Sequence, residues 1–296
     1  MRTELNARIG RTTPSPLFGV LVAMGPAIPA QETGATRRRV HLPRELWMPA
    51  LLLAALWPHW IYMARRTVDG SDEPWGVLAL LTALVLLLRD HAHFVLPTRS
   101  ALLAAATLAV VAAAAHLSLP DLAAAALAML ALGVYVMHAL RRPATPMIVL
   151  LLLTLPLVAS LQFYFGFPLR LLVAQVGAML LATGGLEATA SGAAIVHGST
   201  IVLIDAPCAG IGMLWLGSYV AAVLSYLYGA DALQTLVNGC VAAVLVFAAN
   251  VARATALFFP EAGLVDWPAG THEAVGLLAF CGAIVPLALF IGRRSR

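Results

Sequence analysis

Apolar residues run through this chain in long stretches, with polar residues gathered between them. From residue 46 onward the stretches recur at about 18 to 20 residues, the length an α-helix needs to cross some 30 Å of hydrocarbon. The pattern predicts about eight membrane-spanning helices, over 46–64, 75–88, 100–117, 121–140, 146–165, 208–228, 232–258 and 273–292. Pro49, Pro58 and Pro156 fall inside spans and predict kinks there. Residues 166–207 form the one substantial connection. Within it, 169–183 is apolar almost all round yet short for a span, which predicts a helix lying in the membrane interface. The strand-like runs 193–196 and 200–204 flank His197-Gly198-Ser199 and predict a small extracytoplasmic hairpin. The fold class expected is therefore an all-α integral membrane protein with that hairpin and interfacial helix as its outer features.

Residues 1–45 lack helical periodicity and are rich in arginine, so a disordered cytoplasmic tail is expected there. Residues 17–25 with Ala30 weakly resemble a secretory signal, and Met24 offers a second candidate start codon upstream of Arg37, Arg38 and Arg39. The expected organisation is a tail (1–45), an N-terminal five-helix membrane part (46–165) and a C-terminal catalytic membrane region (166–292).

Composition supports the membrane reading. Of 296 residues, 61% are hydrophobic and 11% charged, against about a quarter charged in a soluble globule. All 18 basic residues are arginine, and the net charge of +4 arises from arginine clusters flanking the apolar part of the chain, which fits membrane topology rather than nucleic-acid binding. With both termini inside, fourteen arginines lie on the cytoplasmic side and four outside, a clear positive-inside bias. Arg65-Arg66 runs against that bias. The protein is expected in the inner (cytoplasmic) membrane, multi-pass. Three cysteines form no disulfide framework, and His91 and His93 lack a third ligand at zinc-like spacing, so neither metal nor cofactor is expected. Cys240 and Cys281 fall inside apolar stretches, where a cysteine acts as a small hydrophobe.

Cys208 differs from them. It stands at the outer start of a span, in Pro207-Cys208-Ala209-Gly210-Ile211-Gly212. A thiol at a helix N-terminus meets the positive end of the macrodipole, which favours thiolate, and Gly210 and Gly212 remove side chains where a substrate backbone could approach. Arg253 lies about 31 Å along the next span from Ala232, at the same outer boundary, with Asn250 one turn earlier on its face. His272 follows the N-cap candidate Thr271 at the outer start of the last span. An interfacial cysteine, a snorkelling arginine and a polar helix-end histidine would account for each one singly. All three at one depth on consecutive spans suit nucleophilic attack on a peptide carbonyl.

A Cys-x-Gly at the start of one span, an Asn-x-x-Arg near the end of the next and a His opening the one after resemble the exosortase/archaeosortase family over about 165–285. The resemblance implies a membrane cysteine transpeptidase acting on secreted proteins whose C-terminus carries a short motif, an apolar helix and an Arg-rich tail. It further implies Cys208 as nucleophile, Arg253 as oxyanion or thiolate partner, His272 as general acid and base, and Asn250 as support for Arg253. Ala209 stands where the family more often has Ser, and Pro207 where it often has Ala, which marks a divergent branch. Two other readings remain open from the residues: a transporter or channel component with Arg253 and His272 lining a polar path, and a non-catalytic membrane protein.

Overall fold

Alanine sets how closely the first helices approach. The computed structural model describes residues 44–68, 75–140, 144–268 and 270–294, so the tail expectation for 1–45 falls almost wholly outside the described residues. Helices α1 (Arg44–Ala55), α2 (Trp57–Val68), α3 (Trp75–Arg89), α4 (Arg99–Ala115) and α5 (Asp121–Ala139) lead into a nine-residue α6 (Thr145–Leu153). Ala101, Ala105, Ala109, Ala112 and Ala115 line one face of α4 and bury against α5, whose own Ala124, Ala125, Ala128 and Ala131 are buried. Between helices in lipid, small residues let backbones come close, so that van der Waals contact replaces the hydrophobic effect. The same core continues into α6 and receives Ala222 and Tyr226 from a later helix, α8 (Ile211–Leu227).

Two expected spans are divided differently. The run over 46–64 is two helices meeting at Leu56, just before Pro58. The run over 146–165 breaks at 154–157, around Pro156, where a proline disfavours helix for the residue before it and removes a donor. After the break the chain re-enters α7 (Val158–Thr183), a single 26-residue helix that absorbs 169–183 and contains Pro168. The interfacial helix is therefore not a separate element. Apolar residues all round its circumference continue the preceding helix without a stop signal, and the true stop comes at Gly184-Gly185. Among the described residues, four helices are long and apolar enough to cross a membrane: α5, α7, α9 (Ala232–Glu261) and α10 (Thr271–Arg294). Helices α3, α4 and α8 are shorter apolar helices.

Between α7 and α8 lies a sheet rather than a two-stranded hairpin. Strands β1 (Thr189–Ser191), β2 (Ala194–His197) and β3 (Thr200–Leu203) form an antiparallel meander in that order, with Ile195 opposite Val202. Each two-residue turn opens on a glycine at positive φ, Gly192 and Gly198, the conformation such turns need. The extra strand β1 has an exposed Thr-Ala-Ser sequence with no alternation to reveal it. His197, expected in the turn, ends β2 and holds the Glu187 carbonyl through Nδ1 at 2.7 Å. One face of the sheet, with Ile195 and Val202, closes a core with Val173, Ala174, Ala178 and Leu181 of α7 and Val251, Ala254 and Phe258 of α9. Val202 of β3 and Ile204 just beyond it are thus held in that core, close before the cysteine segment begins at Ala206.

Helix α9 starts with a full capping box: Asp231 accepts from the Gln234 backbone, and the Gln234 side chain accepts from the Asp231 backbone. Its 30 residues make it about 45 Å long, well beyond the roughly 30 Å of a hydrocarbon core. Gly217 of α8 lies against Val246, letting α8 and α9 pack closely. Cys240 and Cys281 are exposed on the outer surface of the bundle instead of buried within it, a surface that faces lipid in a membrane.

Candidate functional site

The cysteine does not start a helix. Ala206–Ala209 forms a short 3-10 turn, with the Cys208 amide donating to the Asp205 carbonyl at 2.9 Å, and α8 begins only at Ile211. Pro207 sits at the start of that turn, where its fixed φ is favourable. Gly210 divides turn from helix at φ +81°, in the left-handed region that a side chain disfavours. The thiol is thus displaced from the macrodipole position that the pattern had suggested. Burial pushes its pKa up, the Arg253 cation draws it down, and the carboxylates of Asp205 and Glu261 push it up again. Cys208 is half-buried against the core of α7, the sheet and α9.

Two side-chain amides clamp the turn. Asn250 of α9, 1% exposed, donates from Nδ2 to the Cys208 carbonyl at 2.9 Å. Gln162 of α7 donates from Nε2 to the Ala206 carbonyl at 3.2 Å. Asn250 therefore engages the cysteine turn, where its expected role is support for Arg253. Its other polar atom, Oδ1, is buried with no hydrogen-bond partner among the described residues. Gly210 is required by Asn250 as well: a Cβ there would lie 2.7 Å from the Asn250 amide. Gly212 serves packing, since its Cβ would meet the Trp75 ring at 3.0 Å, and Trp75 in turn packs on Trp215, which stacks on Tyr219. Neither glycine is simply open space for a substrate.

Arg253 and His272 meet directly. Arg253 Nη2 lies 3.1 Å from His272 Nε2. A guanidinium only donates, so His272 accepts through Nε2 and carries its proton on Nδ1. Arg253 Nε is buried without a partner among the described residues. A Cβ at Gly276, one turn along α10 from His272, would lie 3.4 Å from that nitrogen, so Arg253 crosses α10 where it carries no side chain. Among the described contacts the Cys208 thiol bonds to neither Arg253 nor His272. The structure thus brings Cys208, Gly210 and Asn250 together at one turn and joins Arg253 to His272, with the Arg253 charge acting on the thiol. Sequence reasoning missed Gln162 and Gly276. The signal for Gln162 was a lone amide in an apolar run, and for Gly276 a glycine four residues beyond the histidine.

Below the turn an apolar cavity of about 340 Å³ opens between α7, α8 and α9. Ala209, Gly210 and Asn250 form its upper wall, and Leu169, Leu214 and Phe247 its apolar sides. The cavity and the cysteine turn share Ala209 and Gly210, and Asn250 touches both.

No curated protein and no solved structure matches the chain. The family described as Transmembrane exosortase (Exosortase_EpsH) matches residues 46–289, covering the bundle, the sheet, the cysteine turn and the Arg253–His272 contact. The chain belongs to the transmembrane exosortase family.

Proposed function

We propose that this protein is a cysteine transpeptidase that cleaves the C-terminal sorting signals of secreted proteins at the extracytoplasmic face of the inner membrane, through a thioester on Cys208. The observation that carries the reading is the contact of Arg253 with His272 Nε2 at 3.1 Å, the Arg253 charge also drawing the Cys208 thiol down against the rise that burial imposes. The Cys208 thiol gives its proton to His272 Nε2, which lets go of Arg253 on becoming a donor. The thiolate adds to the scissile carbonyl carbon, and the freed guanidinium takes the oxyanion. The C–N bond breaks as His272 returns the proton to the leaving amine, leaving an acyl thioester. An acceptor hydroxyl, amine or water then gives a proton to His272 and attacks the thioester, and the proton returns to sulfur.

Two features support a peptide substrate held at the membrane boundary. The 340 Å³ cavity has apolar sides suited to residues of the substrate's helix and ends at the cysteine turn. The orphaned Asn250 Oδ1 in its wall offers an acceptor for a substrate amide, and a buried acceptor left without any partner costs about 1–3 kcal/mol. The test is co-expression with a secreted reporter ending in motif, apolar helix and Arg-rich tail. Cys208→Ala is expected to leave the protein in the membrane at normal level and the reporter unprocessed. Processing that survives in Cys208→Ala overturns the reading.

A further inference from the structure

The two edges of the sheet differ in character. At one edge β1 is a three-residue Thr-Ala-Ser strand, short and without large apolar side chains, which is a common way to blunt an edge. At the other, β3 carries Ile201 at 65% and Leu203 at 69% exposed, while Val202 between them faces the core. No strand lies beyond β3 among the described residues. Register fixes which backbone groups this edge offers. The Ile204 amide donates to the Ala193 carbonyl at 2.8 Å, which continues the pairing of Ala194 with Leu203 and of Ile195 with Val202. Hydrogen-bonded and non-bonded pairs alternate along an antiparallel ladder, so Thr200, Val202 and Ile204 turn their N–H and C=O groups toward β2. Those of Ile201 and Leu203 point out of the sheet, with no hydrogen-bond partner among the described residues.

That edge leads straight to the nucleophile. Cys208 follows Leu203 by five residues, through the turn in which its amide donates to the Asp205 carbonyl. Val202 and Ile204 fix the path in the core of α7 and α9, and Asn250 and Gln162 hold the turn itself. Unpaired groups on an edge strand are a template for a second extended chain: main-chain bonds give affinity, and alternate side chains give specificity. The chain that has to reach Cys208 is the substrate's. We propose that the substrate's sorting segment binds as a fourth strand on the outer edge of β3, bonded through its backbone to Ile201 and Leu203, so that the residues after it arrive at Cys208. This inference rests on the thioester chemistry proposed above and names how its substrate is held. The added strand runs parallel to β3, because the substrate's apolar helix and α8 both continue from the turn into the membrane. The ledge formed by Ile201 and Leu203 favours apolar side chains at alternate positions of the segment.

Two measurements on the full-length protein test it. The first is processing of the co-expressed reporter by Ile201→Pro and Leu203→Pro, each of which removes one outward N–H and leaves the ladder with β2 intact. Ile201→Ala and Leu203→Ala keep that N–H. The proline variants are expected to process the reporter about tenfold more slowly or worse, and the alanine variants within about threefold of wild type. The second starts from C208A/C240A/C281A, which lacks the nucleophile and every other thiol. Leu203→Cys is added, and single cysteines are scanned through the reporter segment ahead of its apolar helix. Disulfides are expected at alternate reporter positions, since cross-strand neighbours on one face recur every second residue. This arm needs neither catalysis nor proline, so it alone decides if a proline variant fails to reach the membrane. Equal processing by the paired proline and alanine variants, disulfides at successive positions without alternation, no disulfide at any position, or Leu203→Cys joined copy to copy in place of the reporter each overturns the proposal. None of these results touches the thioester, which fails instead if Cys208→Ala still processes the reporter.

Discussion

The two ends of α8 and α9 carry similar polar residues and treat them in opposite ways. At one end Tyr226 donates to the buried Asp90 carboxylate at 2.9 Å, and Asn238 donates to Ser225 at 2.9 Å. Asp90, Ser225 and Asn238 are each 4% exposed or less. At the other end Asn250 and Arg253 each keep a buried polar atom with no partner among the described residues. A membrane bundle gains specificity from buried polar groups that satisfy one another, and it loses free energy for each one left bare. Satisfied pairs read as structure. Orphaned atoms around a cysteine turn read as places kept for a substrate.

Substitutions at the two ends should separate those roles. The largest effect belongs to Cys208→Ala, which is expected to lower reporter processing by roughly 10³-fold or more at unchanged membrane level. Gly210→Ala comes next. It forces a side chain into φ +81° and onto Asn250, a strain of about 1–3 kcal/mol, and should disorder the turn enough to slow processing far more than it lowers the unfolding temperature. Asn250→Ala frees the Cys208 carbonyl and is expected to cost about ten- to a hundredfold in processing, in line with 1–3 kcal/mol for the lost partner. Asn238→Ala, at the satisfied end, should instead lower thermal stability by about 1 kcal/mol with processing per folded molecule unchanged. If the two asparagine variants behave alike, the contrast between the ends fails.

A subtler test reads the thiol itself. Burial holds the Cys208 pKa above the ordinary thiol value, so its alkylation by iodoacetamide should keep rising with pH beyond the range where a free cysteine levels off. Arg253 draws the pKa down and Asp205 pushes it up. Arg253→Gln should therefore move the profile to higher pH, and Asp205→Asn to lower pH. Profiles that do not move would place Arg253 too far from the thiol to act on it.

The candidate residues of the site are legible in the sequence itself. Cys208, Arg253 and His272 stand out because each is a reactive group at the edge of an apolar run, and hydrophobic period alone sets where such runs end. The details that failed share a cause. Cys208 looked like a helix start because Pro207 and two glycines suit one. The left-handed Gly210, demanded by the Asn250 side chain 40 residues away, puts a turn there instead. The interfacial helix looked separate because 169–183 is the right length for one, while nothing in the local pattern shows that the preceding helix carries on through Pro168.

By itself the amino-acid order determined that this is a bundle of apolar helices, because runs of this length cannot satisfy their backbone groups in hydrocarbon in any other way. It also determined which few reactive side chains stand where those runs stop. Only the tertiary structure decided who touches whom: Asn250 on the cysteine turn, Gln162 clamping it from α7, and Arg253 laid across Gly276 onto His272. Those partners come from helices tens of residues apart, and close packing between elements, which no local period encodes, selects them.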